Sequence, residues 1–253
     1  MFDRRGALNG LLNDLPSVQR IIYLSHMFAP DEGRPDGARS WSELTESSAL
    51  AADDPTADQL LFDHPLWIVY SSGTTGLPKG MVHGHGGILF EMLKGQNLQL
   101  DLSPESTMFF YTTTGWIMFN MLVGALVAGA SIVLYDGNPA YPDLSTLWRL
   151  VERTGATSFG TSPTFVHTMA QNRLCPREQF DLSSLRNVLC TGSPLTPESF
   201  SWIYENVKEN LWVSSISGGT DVSGGFVAGS PILPVHSGEI QAPCLGVDVC
   251  AFD

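Results

Sequence analysis

The sequence WIVYSSGTTGLPKGMVHGH, residues 67–85, joins a strand-like segment to a polar, glycine-rich loop. Residues 67–70 are uncharged and prone to form strands, which predicts a buried strand of a parallel sheet. Residues 71–80 then supply two serines, two threonines, three glycines, one proline and one lysine. Such a run cannot pack a core, but its backbone N–H groups and hydroxyls can surround an anion. Because Lys79 adds a positive charge on a flexible stem, the stretch predicts a triphosphate-binding loop.

The loop does not fit the Walker motif, in which a Gly-Lys pair is followed by Ser or Thr. Here Pro78 precedes Lys79 and Gly80 follows it. The string SSGTTGLPKG, residues 71–80, instead resembles at nearly every position the phosphate loop of the adenylate-forming (ANL, or acyl-CoA synthetase) superfamily. A flexible surface turn is the alternative interpretation of the loop taken by itself.

The composition describes a folded globular protein that carries excess negative charge. The chain has 253 residues, of which 43% are hydrophobic and 15% charged, and its formal net charge is −13. That charge argues against nucleic-acid partners and against an anionic membrane surface. The four cysteines show no C-x-x-C spacing, and the N-terminus MFDRRGALNG has no apolar signal core. We therefore expect free thiols, small-molecule partners and a cytoplasmic location.

One uncharged segment, residues 106–135, is long enough to suggest a membrane helix. Three glycines and one asparagine interrupt it, at Gly115, Asn120, Gly124 and Gly129. A buried helix at residues 117–128 followed by a buried strand at residues 131–135 explains the same composition. The sequence therefore favours no contact with the membrane.

The remaining pattern alternates strands with helices of about ten residues, which predicts an α/β fold. We expect a mostly parallel sheet with helices on both faces. Further strands are predicted at residues 20–24, 109–111, 156–160, 186–190, 211–215 and 247–252, and further helices at residues 8–19, 87–98, 144–153, 163–171 and 197–209. Ligands of such sheets bind beyond the carboxyl ends of the strands. Polar turns follow four of the strands, and we expect them to line one crevice: residues 71–80, 112–115, 191–194 and 217–221.

The resemblance implies roles for these turns. TGSPL, residues 191–195, is similar to the turn that packs on adenine and ribose, and SGGTD, residues 217–221, occupies the place of the aromatic-x-x-Thr-Glu signature. It implies catalytic roles for Lys79 and Thr220, a Mg²⁺ ligand at Asp221 and a CoA contact at Asn138. For ATP binding it implies Ser72, Gly73, Thr74, Thr75, Gly76, Lys79, Gly192, Ser193, Pro194, Ser217, Gly218, Gly219 and Thr220.

Further strings resemble the acetoacetate–CoA ligase branch of the superfamily, among them TGWIM at residues 114–118 and LPVHSGEIQ at residues 233–241. In acetate-activating relatives a tryptophan closes the acyl pocket, and here Gly218 takes the corresponding position. The resemblance thus implies an acyl pocket bounded by Trp116 and Gly218, with room for a longer keto acid. The resemblance also implies Mg²⁺ as a cofactor, and ATP and CoA as co-substrates. Ordinary core packing is the alternative role for Trp116.

The superfamily's large domain is roughly twice as long as this chain and carries a small C-terminal lid domain. We therefore expect residues 1–253 to be an AMP-binding domain truncated at both ends, weakly active or inactive alone. A non-catalytic nucleotide-binding remnant is the main alternative.

His85-Gly86-Gly87 fits an oxyanion loop of α/β hydrolases, but the chain has no Gly-x-Ser-x-Gly elbow. His83 and His85 as a metal pair lack further ligands at readable spacing.

Overall fold

The computed structural model describes residues 5–24, 34–47, 57–71 and 76–252, and divides the chain into two compact units, Met1–Gln59 and Leu60–Asp253. The first unit contains helix α1 (Arg5–Asn13), strands β1 (Ile22–Tyr23) and β2 (Arg39–Ser40), and helix α2 (Trp41–Ser47). Strands β1 and β2 pair in parallel. Ser40 and Glu43 begin α2 as a capping box, because each side chain accepts a hydrogen bond from the other's backbone N–H (both 3.1 Å).

The second unit begins with a hairpin of strands β3 (Pro65–Ser71) and β4 (Lys79–Gly84). The two strands pair antiparallel, with Ser71 opposite Lys79. The prediction that residues 67–70 form a buried strand of a parallel sheet is therefore wrong in its pairing and its burial: Ile68 is 59% exposed and Tyr70 66% exposed. A four-residue apolar run indicates a strand but does not identify its partner, which here is the segment directly after the loop.

The central sheet of this unit has seven strands among the described residues. They are β5 (Thr107–Phe110), β6 (Ser131–Val133), β7 (Ser158–Thr161), β8 (Asn187–Thr191), β9 (Trp212–Gly219), β10 (Gly224–Ala228) and β11 (Ala242–Pro243). Their order is β11-β10-β9-β8-β7-β5-β6. The five strands from β9 to β6 are parallel, whereas β10 and β11 add an antiparallel edge. The predicted mostly parallel sheet is confirmed.

Helices cover both faces of the sheet, as predicted. They are α3 (His85–Leu93) continued by the π-helical segment Lys94–Gln99, α4 (Ile117–Gly124) with a 3₁₀ turn at Ala125–Ala128, α5 (Thr146–Thr154), α6 (Pro163–Gln171), a 3₁₀ turn at Pro176–Glu178, and α7 (Pro197–Asn206). Side chains alternate along each strand, so Phe109 and Val188 pack under α5, α6 and α7. Phe110 and Leu189 point to the other face and pack against α4.

Local signals in the sequence explain several helix ends. Thr196 caps α7 by accepting a hydrogen bond from the Ser199 N–H (3.3 Å), and Pro197 stands at the first helical position, as predicted. Ser162 and Pro163 begin α6 in the same way. Gly155 ends α5 with a φ of +61°, a conformation that favours glycine.

One other expectation needs correction. Residues 247–252 form no strand, and the described chain ends in irregular structure after β11. The uncharged segment 106–135 is divided among β5, α4, a 3₁₀ turn and β6, which confirms the predicted helix followed by a strand, although the strand ends at Val133. Among the described residues, no helix has the length and apolar character needed to cross a membrane.

Candidate functional site

A cavity of about 530 Å³ lies where the ends of β8 and β9 meet the beginning of α4. Its wall includes the turn after β8, the last residues of β9, and Trp116 with Met118 from the start of α4. The volume falls within the range of small-molecule sites. The cavity is at the carboxyl end of the parallel strands, where α/β sheets bind their ligands.

The turn after β8 is held by the neighbouring strand. The Thr191 hydroxyl donates a hydrogen bond to the carbonyl of Ile216 (2.8 Å), which ties the end of β8 to β9. Gly192 has a φ of +101°, and a Cβ placed on it would contact the Trp116 ring at 3.6 Å. Glycine therefore allows both the sharp turn and the close approach of the indole. Ser193 and Pro194 follow in the cavity wall.

The second wall is the hairpin of β9 and β10. Gly219 stands opposite Gly224, and Gly218 opposite Gly225. Residues 217–219 are thus part of β9, and the turn itself comprises residues 220–223, so it begins three residues later than predicted. The His83 ring donates from Nε2 to the carbonyl of Thr220 (3.0 Å), so strand β4 is hydrogen-bonded to this turn.

One part of the cavity wall carries a charged side chain next to polar and apolar residues. Glu91, on α3, lines the cavity and forms an ion pair with Lys94 (2.7 Å). Gln99 and Cys244 line it nearby. Burial raises the pKa of the Cys244 thiol, while a hydrogen bond from Gln99 and the charge of Lys94 act in the opposite direction. The charge of Glu91 also raises that pKa, and Lys94 itself is not among the residues that line the cavity.

Trp116 has two roles that the sequence offered as alternatives. Its ring packs edge-on against Phe110, with centroids 5.7 Å apart, so it belongs to the core under α4. The same ring lines the cavity. Packing against Phe110 fixes the orientation of the ring, and its remaining surface bounds the cavity.

The structure brings together two of the four predicted turns, residues 191–194 and 217–221, the latter through Ser217, Gly218, Gly219 and Thr220. Residues 112–115 do not line the cavity, and only the following Trp116 does. Ser72, Gly73, Thr74 and Thr75 lie outside the described residues. Gly76 and Lys79 are exposed on the hairpin and do not line the cavity.

Asp221 and Asn138 also lie outside the cavity wall. Asp221 is exposed, and its carboxylate lies beside Gly219, so that a Cβ on Gly219 would be 3.2 Å from Oδ2. Asn138 is exposed, and its side-chain oxygen accepts a hydrogen bond from the Ala140 N–H (2.8 Å). In this structure Asn138 stabilises its own turn.

Gly218 lines the cavity, but its missing side chain does not create the space there. A Cβ on Gly218 would overlap the backbone carbonyl of Gly224 on the neighbouring strand. The acyl-pocket role of Gly218 stays a prediction, and on this backbone any side chain at position 218 would require β10 to move first. Glycine is needed here for the close approach of two strands.

Five wall residues were not predicted from the sequence: Glu91, Gln99, Cys244, Gly224 and Gly225. The first three come from a predicted helix and a loop with no motif, and only the fold brings them together. The Gly-Gly pair inside a strand was a readable signal, because such glycines mark bulges or close approaches. The strand register indeed shifts between Gly225 and Val227.

An open, mostly parallel sheet with polar turns around one cavity at its carboxyl edge defines a ligand-binding α/β domain. A family model described as "AMP-binding enzyme" matches residues 7–251, and the chain belongs to that family.

Acetoacetyl-CoA synthetase of Gallus gallus is 45% identical over 243 residues, which is 96% of this chain and 36% of that protein. Malonamoyl-CoA synthetase of Penicillium aethiopicum is 35% identical, with 96% of this chain and 36% of that protein covered. The structure of acetoacetyl-CoA synthetase from Streptomyces lividans matches with a TM-score of 0.90 at 45% identity, over 99% of this chain and 38% of that one. The chain thus spans little more than a third of its relatives, and the resemblance found in the sequence is confirmed.

Proposed function

We propose that this chain contributes the nucleotide and acyl site of an ATP-dependent acid–CoA ligase. In the first step a carboxylate oxygen of acetoacetate attacks the α-phosphorus of ATP, and diphosphate leaves to give an acyl-adenylate. In the second step the CoA thiol attacks the acyl carbonyl, loses its proton and displaces AMP. The products are acetoacetyl-CoA, AMP and diphosphate.

One observation carries the proposal. The turn at residues 191–194 and the strand end at residues 217–220 meet in a single cavity with Trp116. They do so in a chain that belongs to the AMP-binding enzyme family and is 45% identical to an acetoacetyl-CoA synthetase. Transfer reactions of this kind depend mainly on positioning and on stabilising charge, which backbone amides and hydroxyls at such turns can supply.

The site residues divide by chemistry. Lys79 and Thr220 would contact phosphate, together with the loop residues Ser72–Thr75 and Gly76. Asp221 would hold Mg²⁺, and Asn138 would contact CoA. The donor at Asp221 fits, because Mg²⁺ takes one or two carboxylates and completes its shell with water and phosphate oxygens. When bound, Mg²⁺ would neutralise charge on the leaving diphosphate.

The acyl group would occupy the apolar part of the cavity next to Trp116 and Met118. The two relatives named above are CoA synthetases for acetoacetyl and malonamoyl groups. Both groups are short and carry a carbonyl at carbon 3. We include that feature in the proposed substrate class and take acetoacetate as its first member.

A second function, nucleotide binding without turnover, is favoured by the charge of the wall. Among the described residues that line the cavity, Glu91 and Glu239 are acidic and none is lysine or arginine. Lys79, backbone amides and Mg²⁺ would then balance the triphosphate charge without help from the cavity wall. A wall without a cation would add little stabilisation to the charge that develops during adenylyl transfer, so we expect this chain to activate acetoacetate weakly or not at all.

The proposed phosphate contact is tested by titration calorimetry with MgATP. Losing a charged hydrogen bond weakens binding by roughly tenfold or more, so we expect that loss for Lys79→Ala. Arg153→Ala is the matched control, because Arg153 is an exposed cation at the end of α5. An unchanged affinity in Lys79→Ala would refute the role of the hairpin in phosphate binding.

Acetoacetate-dependent exchange of labelled diphosphate into ATP separates the two functions. ATP binding without exchange favours the non-catalytic function, and exchange by this purified chain favours the ligase. The proposal also includes small-molecule partners, no nucleic acid and a cytoplasmic location. The four free thiols, Cys175, Cys190, Cys244 and Cys250, support a reducing compartment.

A further inference from the structure

Helix α3 widens at its end into the π-helical segment Lys94–Gln99, and this segment forms part of the cavity wall. The wider turn is seen in the hydrogen bond from the Leu100 N–H to the carbonyl of Gly95 (2.9 Å), five residues back. Gly95, Gln99 and Leu100 all line the cavity. Short π-helical turns occur frequently at functional sites. Here the turn contributes one amide residue, Gln99, to the wall.

The π-helical segment is held against α4, the helix that carries the apolar side of the cavity. The Gln96 side-chain amide donates a hydrogen bond to the carbonyl of Met121 (2.7 Å), and Gln96 is fully buried. A Cβ on Gly95 would lie 4.0 Å from the methyl group of Met121. Met118 and Met121 line the same cavity. The segment that carries Gln99 therefore borders the apolar part of the cavity, where the acyl group would bind.

The Gln99 side chain lies beside a thiol at the cavity wall. Gln99 is 8% exposed and Cys244 is 3% exposed, and both line the cavity. A hydrogen bond from Gln99 acts to lower the pKa of the Cys244 thiol, so the amide is next to the sulfur. The sulfur itself is at the wall, because a Cβ on Gly225 would be 2.8 Å from it and Gly225 also lines the cavity. The Gln99 amide is therefore at the wall, beside Gly225.

This amide has hydrogen-bonding capacity that the protein leaves largely unused. A glutamine side chain has two N–H donors and one carbonyl acceptor, and a thiol is a weak partner for either. Among the described residues, the Cys244 sulfur is the only hydrogen-bonding partner of the Gln99 side chain. A buried donor without a partner costs free energy. A ligand that brings an acceptor to Gln99 would therefore gain affinity.

We propose that Gln99 determines substrate specificity by donating a hydrogen bond from its side-chain N–H to the oxygen on carbon 3 of the acyl group. The donor is neutral, so an entering acyl group does not have to displace the water around a charge. The inference rests on the proposed ligase function. It adds the residue that selects short 3-oxo acids over saturated acids of the same length.

Discrimination follows from the pairing of this donor. An acetoacetyl group brings a carbonyl oxygen to the amide. A butanoyl group of the same length brings a methylene and leaves the donor facing hydrocarbon. Sites that hydrogen-bond a substrate group reject analogues lacking it far more strongly than sites that only measure size.

The test uses this chain and two stable acyl-adenylate analogues, acetoacetyl- and butanoyl-sulfamoyladenosine, in which a sulfamate stands in for the phosphate. Titration calorimetry should give roughly tenfold tighter binding of the acetoacetyl analogue to the wild-type chain. Gln99→Met keeps the length of the side chain and removes the donor. It should abolish most of this preference while leaving butanoyl binding within about twofold of the wild-type value.

Gln179→Met is the matched control, because Gln179 is an exposed amide outside the cavity wall and its loss should leave the preference unchanged. Equal binding of both analogues to the wild-type chain would overturn this inference alone, and so would an undiminished preference in Gln99→Met. An equal loss of both analogues in Gln99→Met would also overturn it, because that result would indicate a structural role.

Failure of the wild-type chain to bind either analogue would instead refute the proposed function, and this inference with it. If Gln99→Met does not fold, Gln99→Asn decides. That variant keeps an amide but draws it back by one methylene, so it should weaken the preference for the acetoacetyl analogue. A preference as large as that of the wild-type chain would overturn the role of Gln99.

Discussion

The carboxyl end of β8 and the β3–β4 hairpin both carry predicted site residues, yet they are packed very differently. All five residues of β8 are buried, and the turn after it is tied to β9 through Thr191. On the hairpin, by contrast, Ile68, Tyr70 and Val82 are 59%, 66% and 60% exposed. The hairpin nevertheless adjoins the loop with the most recognisable sequence in the chain.

The difference shows that motif strength and packing are independent properties. A loop rich in glycine, serine and threonine binds anions through its backbone, so its sequence is constrained by chemistry and needs no core. The turn after β8 is positioned by buried neighbours, and its own residues form a weaker motif. The cavity wall should therefore depend on core mutations, whereas the hairpin should tolerate substitutions of its exposed side chains.

The largest expected effect is on the core beneath β8. Phe159 is fully buried and packs against Trp148 and Phe109, with ring centroids 4.9 and 5.5 Å away. Phe159→Ala should lower the free energy of unfolding by about 3–5 kcal/mol, because it removes buried apolar surface and leaves a cavity. Urea unfolding followed by tryptophan fluorescence measures the change.

Tyr70→Ala is the matched control for that aromatic truncation, because Tyr70 is an exposed ring on the hairpin. It should change the free energy of unfolding by no more than about 0.5 kcal/mol. A loss as large as that of Phe159→Ala would contradict the comparison, because it would mean that the exposed hairpin is as tightly coupled to folding as the sheet.

The next effect concerns the two glycines at the end of β9. Gly218→Ala should cost about 1–3 kcal/mol, because the new methyl group meets the Gly224 backbone, which cannot rotate away. Gly219→Ala is the control, because its Cβ would meet only side-chain atoms of Asp221 and Phe226, at 3.2 and 3.3 Å. Thermal unfolding of both variants measures the difference in stability. An equal loss of stability would show that the Gly224 backbone moves as easily as the side chains of Asp221 and Phe226.

Much of the sheet could be predicted from the sequence because its strands and helices have their own periodic patterns. Helix α6 agrees at both ends with the predicted range 163–171, since Ser162 and Pro163 mark its start. The hairpin could not be predicted as such, because residues 67–70 indicate a strand without indicating its partner. The glycines in the sequence between the two strands suit a phosphate loop as well as a hairpin turn, so the sequence does not indicate the pairing.

The candidate site likewise contains residues that could be predicted from the sequence and residues that could not. Gly192, Ser193 and Thr220 were predicted from motifs and line the cavity. Glu91 and Cys244 lie far apart in the sequence and are brought together by the packing of α3 against β10 and the loop after β11. No local pattern contains that information. The role of Lys79 in phosphate binding stays a prediction. Lys79 begins strand β4, and His83, the fifth residue of that strand, is hydrogen-bonded to Thr220. The four steps along the strand from Lys79 to His83 span roughly 13 Å.

The smallest effect concerns the hydrogen bond that links the two walls of the cavity. Thr191→Val keeps the shape of the side chain but removes the donor to the Ile216 carbonyl, and should cost about 1 kcal/mol of unfolding free energy. Thr168→Val is the control, because its hydroxyl bonds to the Thr164 carbonyl on an exposed helical turn and should contribute little. Urea unfolding of the two variants should separate them. If they proved equal, the turn after β8 would be held by packing alone, and its contrast with the hairpin would rest on burial, with no contribution from this bond.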